Sequence, residues 1–307
     1  MPRVPLRLIA LGAITMLLAA CGAAPGDPSA SAGSDGEQVL TIGAIPDQDP
    51  QVLQRQFSTL SEYLGEKLGV EVRYVPVTDY TASVTAFQRG DLQLVFFGGL
   101  TGVQARAQVP GAVTLAQRDI DAEFHSVFVA NTGSGIEPID DVSGLRQLAG
   151  HSFTFGSDTS TSGRVMPQHF LLQAGVGVDD FSGEPGYSGS HDTTAKLVEA
   201  GTYDAGALNS SVWDELVETG KVDTSKVREI FRTPPFHDYH WVARPDIDEQ
   251  LGDGMTDKIR KTLLDIDGSD ATEKKILRLF EAGSFVPTEP GNYAKIEQVA
   301  RKLGLLH

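Results

Sequence analysis

Phe153-Thr154-Phe155-Gly156-Ser157-Asp158-Thr159-Ser160-Thr161-Ser162-Gly163-Arg164 is the stretch on which the reading of the chain turns. Its apolar, aromatic start reads as a buried strand, Gly156 breaks it, hydroxyls follow, and the pattern from Val165 predicts a helix over 165–174. A strand, a polar loop and a helix N-terminus therefore stand in series. The unpaired N–H groups of a helix start, with the positive end of its dipole, hold an oxyanion without any full positive charge nearby. Ser160, Thr161 and Ser162 add three hydroxyl donors at that point. A plainer reading stands beside this one, in which Ser162 caps the helix and the rest is loop, since hydroxyl residues are favoured at caps.

Working outward, residues 1–20 have a short basic start (Arg3, Arg7), an apolar run over 8–18 and small residues before Cys21. That is a signal peptide, too short for a comfortable membrane span. Leu18-Ala19-Ala20-Cys21-Gly22 resembles the bacterial lipobox, in which the cysteine is lipidated and becomes the mature N-terminus. Cys21 is the single cysteine of the chain, so no disulfide forms within it. Residues 21–38 are rich in Ala, Ser, Gly, Pro and Asp without periodicity, and read as a flexible tether between a lipid anchor and a folded body. The expected location is the extracytoplasmic face of the membrane.

The body from 39 to 307 is long enough for two lobes with cores of their own. The chain carries a formal charge of −16, which repels nucleic acid and anionic headgroups. An anionic ligand would be repelled at long range too. Dipoles and hydroxyls, not net charge, must do any holding of an anion.

Within the body, 40–45 alternates as a strand, and Asp49-Pro50 starts an amphipathic helix over 50–68 with Leu53, Phe57, Leu60 and Leu64 on one face and Gly69 as its stop. Val70, Val72 and Tyr74 alternate as a second strand, and a short helix with Val84 and Phe87 follows Asp79-Tyr80. The run 92–97 is almost wholly apolar, as in a strand buried on both faces, and Gly98-Gly99 lets the backbone turn tightly behind it. A helix through Val103 and Ala107 and a strand over 112–116 continue a βα rhythm that predicts a parallel sheet flanked by helices.

A strand over 124–130 crosses into a second lobe, which holds the hydroxyl stretch, a helix over 193–200 and a strand over 203–208. The segment 233–243 returns, and helices near 255–264, 272–282 and 293–303 complete the first lobe. The boundaries expected are 39–125 and 239–307 for lobe I and 126–238 for lobe II. Two α/β lobes joined by two crossings make a hinged clamp, with a ligand at strand ends between them.

Four loop positions should converge there: Asp79-Tyr80, Phe97-Gly98-Gly99, Ser160-Thr161-Ser162 and Ser190-His191. Each has a structural reading as well: Tyr80 and His191 as core residues, Asp192 as a helix cap, and His240-Trp241 as hinge packing in preference to ligand contact. Catalysis has little support. Ser190-His191-Asp192 are sequence neighbours that point in different directions at a helix start, whereas a triad is assembled in space. No Gly-x-Ser-x-Gly elbow, His-Glu-x-x-His motif, paired cysteine or nucleotide-binding glycine fingerprint occurs, so neither metal nor cofactor is expected.

Signal and lipobox, Ile42-Gly43-Ala44-Ile45-Pro46, Phe97-Gly98-Gly99, Ser160-Thr161-Ser162-Gly163 and Gly189-Ser190-His191-Asp192 together resemble the phosphate/phosphite/phosphonate-type substrate-binding proteins of ABC importers. Within them, Ile45-Pro46-Asp47-Gln48-Asp49-Pro50, the 96–102 segment and the 117–126 segment are similar to the branch labelled selenate ABC transporter binding proteins. The resemblance implies a type II periplasmic-binding-protein fold, a monomer that closes on a small tetrahedral oxyanion and delivers it to a membrane permease and its ATPase. It also implies Ser160, Thr161 and Ser162 on the anion, His191 as a contact, Tyr80 at the pocket mouth, and Phe97 and Gly98 in the second loop. Relatives often carry tyrosine where this chain has Phe97, which removes a hydroxyl donor. A sensory binding protein and a secreted hydrolase are the contrasting readings.

The anion itself is open between two chemistries. Selenate and sulfate are fully ionised and only accept hydrogen bonds, so their site should be all donors. Phosphate and many phosphonates keep a proton near neutral pH and suit a site with one carboxylate acceptor. Asp47, Asp79 and Asp192 lie beside the expected loops, and an inward carboxylate among them would point to phosphorus.

Overall fold

The computed structural model describes residues 38–306. The signal peptide, Cys21 and the tether through residue 37 lie outside the described residues. β1 (Val39–Ala44) leads into α1 (Pro50–Leu68), where the Asp49 side chain accepts from the Gln51 amide at 2.7 Å and Gly69 ends the helix at φ 76°. β2 (Glu71–Tyr74), α2 (Tyr80–Arg89), β3 (Leu94–Phe97) and α3 (Gly99–Gln108) follow, then the short β4 (Val113–Thr114) and β5 (Gln117–Arg118). β6 (Ser126–Asn131), β7 (Phe153–Phe155), α4 (Met166–Gln173), β8 (Gly186–Tyr187), α5 (His191–Glu199), β9 (Ala205–Asn209), α6 (Ser210–Glu218) and β10 (Val227–Arg232) build the second lobe. β11 (His240–Ala243), α7 (Ile247–Leu251), α8 (Met255–Leu264), α9 (Ala271–Leu279), β12 (Phe285–Val286) and α10 (Ala294–Lys302) return to the first.

Each lobe is built on one five-stranded sheet, ordered β2-β1-β3-β11-β4 in the first and β10-β6-β9-β7-β8 in the second. This is a two-lobed α/β type II periplasmic-binding-protein fold. Neither sheet is all parallel, as the βα rhythm had implied. β11 runs antiparallel to both β3 and β4, and β6 runs antiparallel to β9 and β10. The physical reason is the double crossing: each of these strands enters its sheet from the other lobe and so from the opposite end. The strand expected over 112–116 is reduced to Val113–Thr114, an edge strand paired on one side.

The two crossings run side by side and are bonded to one another. Phe124 and Phe236 exchange both backbone hydrogen bonds, at 2.8 and 2.9 Å, and Asp238 N–H donates to the Asp121 carbonyl at 3.1 Å. Beneath them, Phe57, Phe96, Trp241 and Phe280 pack edge-on or tilted with ring centroids 5.1–6.4 Å apart. Trp241 thus belongs to the core of lobe I. Its neighbour His240 stacks on Tyr293 at 3.8 Å and lies 2.6 Å from Arg106, so both residues are packing elements. Among the described residues no helix is long and apolar enough to cross a membrane.

Candidate functional site

The hydroxyl stretch folds into a tight loop that closes on itself: Gly156 N–H donates to the Gly163 carbonyl at 2.9 Å. The helix after it begins earlier than its sequence pattern suggests. Thr161–Val165 form one wide turn with bonds to the fifth residue, Val165 N–H reaching the Ser160 carbonyl at 3.0 Å, and α4 continues from it. Such wide turns occur in short pieces and often at functional sites. Ser160, not Ser162, is the cap: its Oγ accepts from Gly163 N–H at 3.0 Å. A side chain at Gly163 would place its Cβ 3.0 Å from that Oγ and 3.1 Å from His191 Cε1, tighter than ordinary contact, so the loop would have to give by a few tenths of an ångström to take one. The first-turn amides of Thr161 and Ser162 have no helical carbonyl to serve. Ser160, Thr161 and Ser162 are 2, 3 and 1% exposed.

The turn after β3 meets this loop from lobe I. Leu100 N–H donates to Thr161 Oγ1 at 2.8 Å, and a Cβ on Gly98 would come 3.6 Å from the same oxygen. Gly98 therefore borders the cluster, as expected. The ring of Phe97 does something else: it is wholly buried and packs edge-on against Phe87 at 5.5 Å. What this turn brings to the cluster is backbone.

His191 is the first residue of α5, and its N–H donates to the Asp47 carbonyl at 2.8 Å. Asn209 N–H donates to His191 Nδ1 at 3.3 Å, which assigns the proton to Nε2 in the neutral ring. Burial holds the imidazole neutral by pushing its pKa down to about 3. Nε2 lies 3.5 Å from both the Tyr80 and Tyr239 hydroxyls, so three polar groups converge. Tyr80 opens α2, is 1% exposed, and has the Ser160 hydroxyl beside it. Tyr239 donates to Asp47 Oδ2 at 2.7 Å and accepts from Asn209 Nδ2 at 3.0 Å.

A carboxylate completes the cluster, and it is not one that sequence reasoning singled out. Asp238, in the return crossing, is 1% exposed; its Oδ1 accepts from Gly99 N–H at 2.8 Å, while Oδ2 is buried without a partner. Burial pushes its pKa up to about 7, against the pull of the Gly99 amide. Ser162 and Thr161 also face it, though neither hydroxyl reaches Oδ2 in hydrogen-bond geometry. Of the three acids considered from sequence, Asp47 is buried and its pKa is pushed up to about 6 by burial. Asp79 is exposed and caps α2 through the Ala82 amide at 2.7 Å. Asp192 does not cap α5, whose N-cap position is Ser190, making no side-chain cap bond. Asp238 lies in the return crossing, where no local pattern of residues marks it as a site residue.

No free cation supports the cluster from nearby Arg118. That guanidinium lies 4.9 Å over the Tyr239 ring, but its donors go to Asp121 at 2.7–2.8 Å and to the Phe280 carbonyl at 3.0 Å. An enclosed space of about 20 Å3 behind Asp47 and Tyr239 is lined by Gln56, Arg118, Asn209 and Glu281, polar and roomy enough for one water. Among the described residues no grouping of His, Cys, Asp or Glu could hold a metal ion.

Two lobes on paired crossings, with buried donors from both converging between them, define a periplasmic solute-binding protein of the type II class. The family model described as ABC transporter, phosphonate, periplasmic substrate-binding protein matches residues 42–293, and the chain belongs to that family. It is 46% identical over 267 residues to a probable ABC transporter phosphite binding protein, PhnD1, of Prochlorococcus marinus, covering 87% of this chain and 90% of that one. The structure of P. marinus PhnD1 in complex with methylphosphonate superposes with a TM-score of 0.86 at 45% identity, over 88% of this chain and 100% of the other. A phosphate-import protein, PhnD, of Mycolicibacterium smegmatis is 23% identical over 262 residues, covering 82% of this chain and 78% of the relative.

Proposed function

We propose that this chain is the non-enzymatic, substrate-binding component of an ABC importer and that its ligand is a phosphorus oxyanion carrying a proton, phosphite or methylphosphonate, in preference to selenate. The observation that carries this is Asp238 Oδ2, a buried acceptor with no partner among a set of donors. The hydroxyls of Ser160, Thr161, Ser162 and Tyr80, His191 Nε2–H and the first-turn amides hold the unprotonated oxygens. Asp238 accepts from the P–OH group, a charge-assisted bond. Selenate and sulfate have no proton to offer, so Asp238 faces them without repulsion only when it is itself protonated. The 46% identity to a phosphite-binding relative supports the same choice.

In this reading lobe I (39–125 and 239–307) and lobe II (126–238) close about the crossings. The protein acts as a monomer tethered through a lipidated Cys21, and a permease and its ATPase receive the anion. The test is thermal unfolding of the body over 39–307 with phosphite, methylphosphonate, phosphate, selenate and sulfate at matched ionic strength. A ligand at about a hundredfold over its Kd adds about 2.7 kcal/mol, a rise of a few degrees in Tm. Stabilisation by phosphite or methylphosphonate and not by selenate is expected. Equal stabilisation by selenate overturns the choice of anion, and none by any of the five overturns the reading.

A further inference from the structure

The backbone N–H and Nδ1 of His191 belong to a closed circuit of hydrogen bonds with Asp47, Tyr239 and Asn209. Asp47, in the turn between β1 and α1 of lobe I, takes the His191 N–H on its backbone carbonyl at 2.8 Å and the Tyr239 hydroxyl on Oδ2 at 2.7 Å. Tyr239 accepts from Asn209 Nδ2 at 3.0 Å, and the Asn209 amide returns to His191 Nδ1 at 3.3 Å. Asp47 and Tyr239 come from lobe I and its crossing, and His191 and Asn209 from lobe II. The circuit therefore exists only while the lobes are together. Asp47 makes no hydrogen bond to Ser160, Thr161 or Ser162; its carboxylate is spent on Tyr239. It is 6% exposed, buried where the two lobes meet.

We infer that Asp47 is a positioning residue and a latch: through Tyr239 and Asn209 it fixes the direction of His191 Nε2 and holds the lobes closed, setting how fast the anion leaves rather than how fast it arrives. The inference rests on the reading of this cleft as an oxyanion site. A merely structural acid would change stability alone. A latch acts on release, because the encounter with an open cleft precedes formation of the circuit and opening must break it.

Stopped-flow binding of methylphosphonate and phosphite to the wild type and to Asp47→Ala, Asp47→Asn, Tyr239→Phe and the Asp47→Ala/Tyr239→Phe pair tests this. Asp47→Ala and Tyr239→Phe should each speed dissociation by about tenfold or more with association within about threefold, the usual pattern for changes confined to release. Asp47→Asn keeps an acceptor for Tyr239 and should stay near the wild type. The double variant should be little worse than either single one, as for residues of one network. Unchanged dissociation in Asp47→Ala, or two effects that simply add, overturns the latch. If Asp47→Ala does not fold, Asp47→Asn and Tyr239→Phe carry the comparison.

A ligand-free readout keeps the two readings apart. The body contains no cysteine, so labels at Arg55→Cys in α1 and Glu218→Cys in α6, exposed residues lining one surface groove, report lobe separation cleanly. Asp47→Ala should move this distance distribution outward. If neither anion binds the wild type, the proposed ligand falls and the distance measurement alone decides the latch; an unmoved distribution then overturns it.

Discussion

The hydroxyl loop of lobe II and the return crossing contribute opposite chemistry to one cleft. The loop offers donors: three hydroxyls and the amides of a helix start, with the Nε2–H of His191 close by. The crossing offers an acceptor, Asp238, at the cluster, and behind it Tyr239, whose hydroxyl donates to Asp47. Donors alone would hold any tetrahedral anion, so in the proposed reading the loop gives affinity and the crossing gives choice. Specificity by an unpaired buried acceptor is a form of exclusion, since the wrong ligand leaves that group unsatisfied.

The largest effect expected from breaking this division is in Asp238→Asn. Losing a hydrogen bond to a charged group should weaken methylphosphonate and phosphite by about 1.5–3 kcal/mol, roughly ten- to more than a hundredfold in Kd by calorimetry. Thr161→Ala comes next, because it removes a donor and also leaves Leu100 N–H buried without its 2.8 Å acceptor. A cost of about 1–3 kcal/mol in the liganded protein, read as a fall in Tm, is expected.

The acceptors also set a pH dependence. Asp47 and Asp238 have folded pKa values raised to about 6 and about 7 by burial, above the ordinary carboxylate value. Asp47 is faced by Arg118, Tyr239 and Glu281, and Asp238 by the Gly99 amide and Asp121. At these two carboxylates the folded state therefore binds more protons than the unfolded chain between about pH 4 and 7, and their contribution to stability, full below that window, is lost as pH rises through both values. Denaturant melts of the ligand-free protein at pH 5 and pH 8 should differ less in Asp238→Asn than in the wild type. His191 opposes this in the same window: burial lowers its folded pKa to about 3, so the unfolded chain takes up a proton there that the native ring does not, and the stability this costs at low pH is regained as pH rises through the ordinary imidazole value. The smallest effect belongs to Phe97→Tyr: the ring lies against Phe87, so a hydroxyl added there should change Kd by less than about threefold, ~0.6 kcal/mol.

What was legible in the sequence follows from how local each signal is. The Asp49-Pro50 start of α1 and the apolar run of β3 carry their physics within a few residues, and the chain folds there as expected, whereas in the hydroxyl loop the helix starts earlier, as a wide turn capped by Ser160. The antiparallel entry of β11 and β6 is set by which lobe the chain comes from, which no window of sequence contains. Asp238 was illegible for the same reason. Its neighbours in sequence, Phe236 and His240, are hinge and core, while its partners Gly99 and Thr161 lie far along the chain. Phe97 shows the reverse: it was chosen for its place beside Gly98, but strand alternation turns its ring into lobe I.

The most direct test is the ratio of affinities for methylphosphonate and selenate, measured by calorimetry at pH 7 and matched ionic strength on the wild type and on Asp238→Asn. The wild type should favour methylphosphonate by about a hundredfold or more, and the variant should shrink that ratio to within about tenfold, mostly by losing methylphosphonate. A wild-type protein that binds selenate as tightly, or a ratio that the substitution leaves unmoved, would contradict the assignment of Asp238 as the group that selects a protonated phosphorus anion.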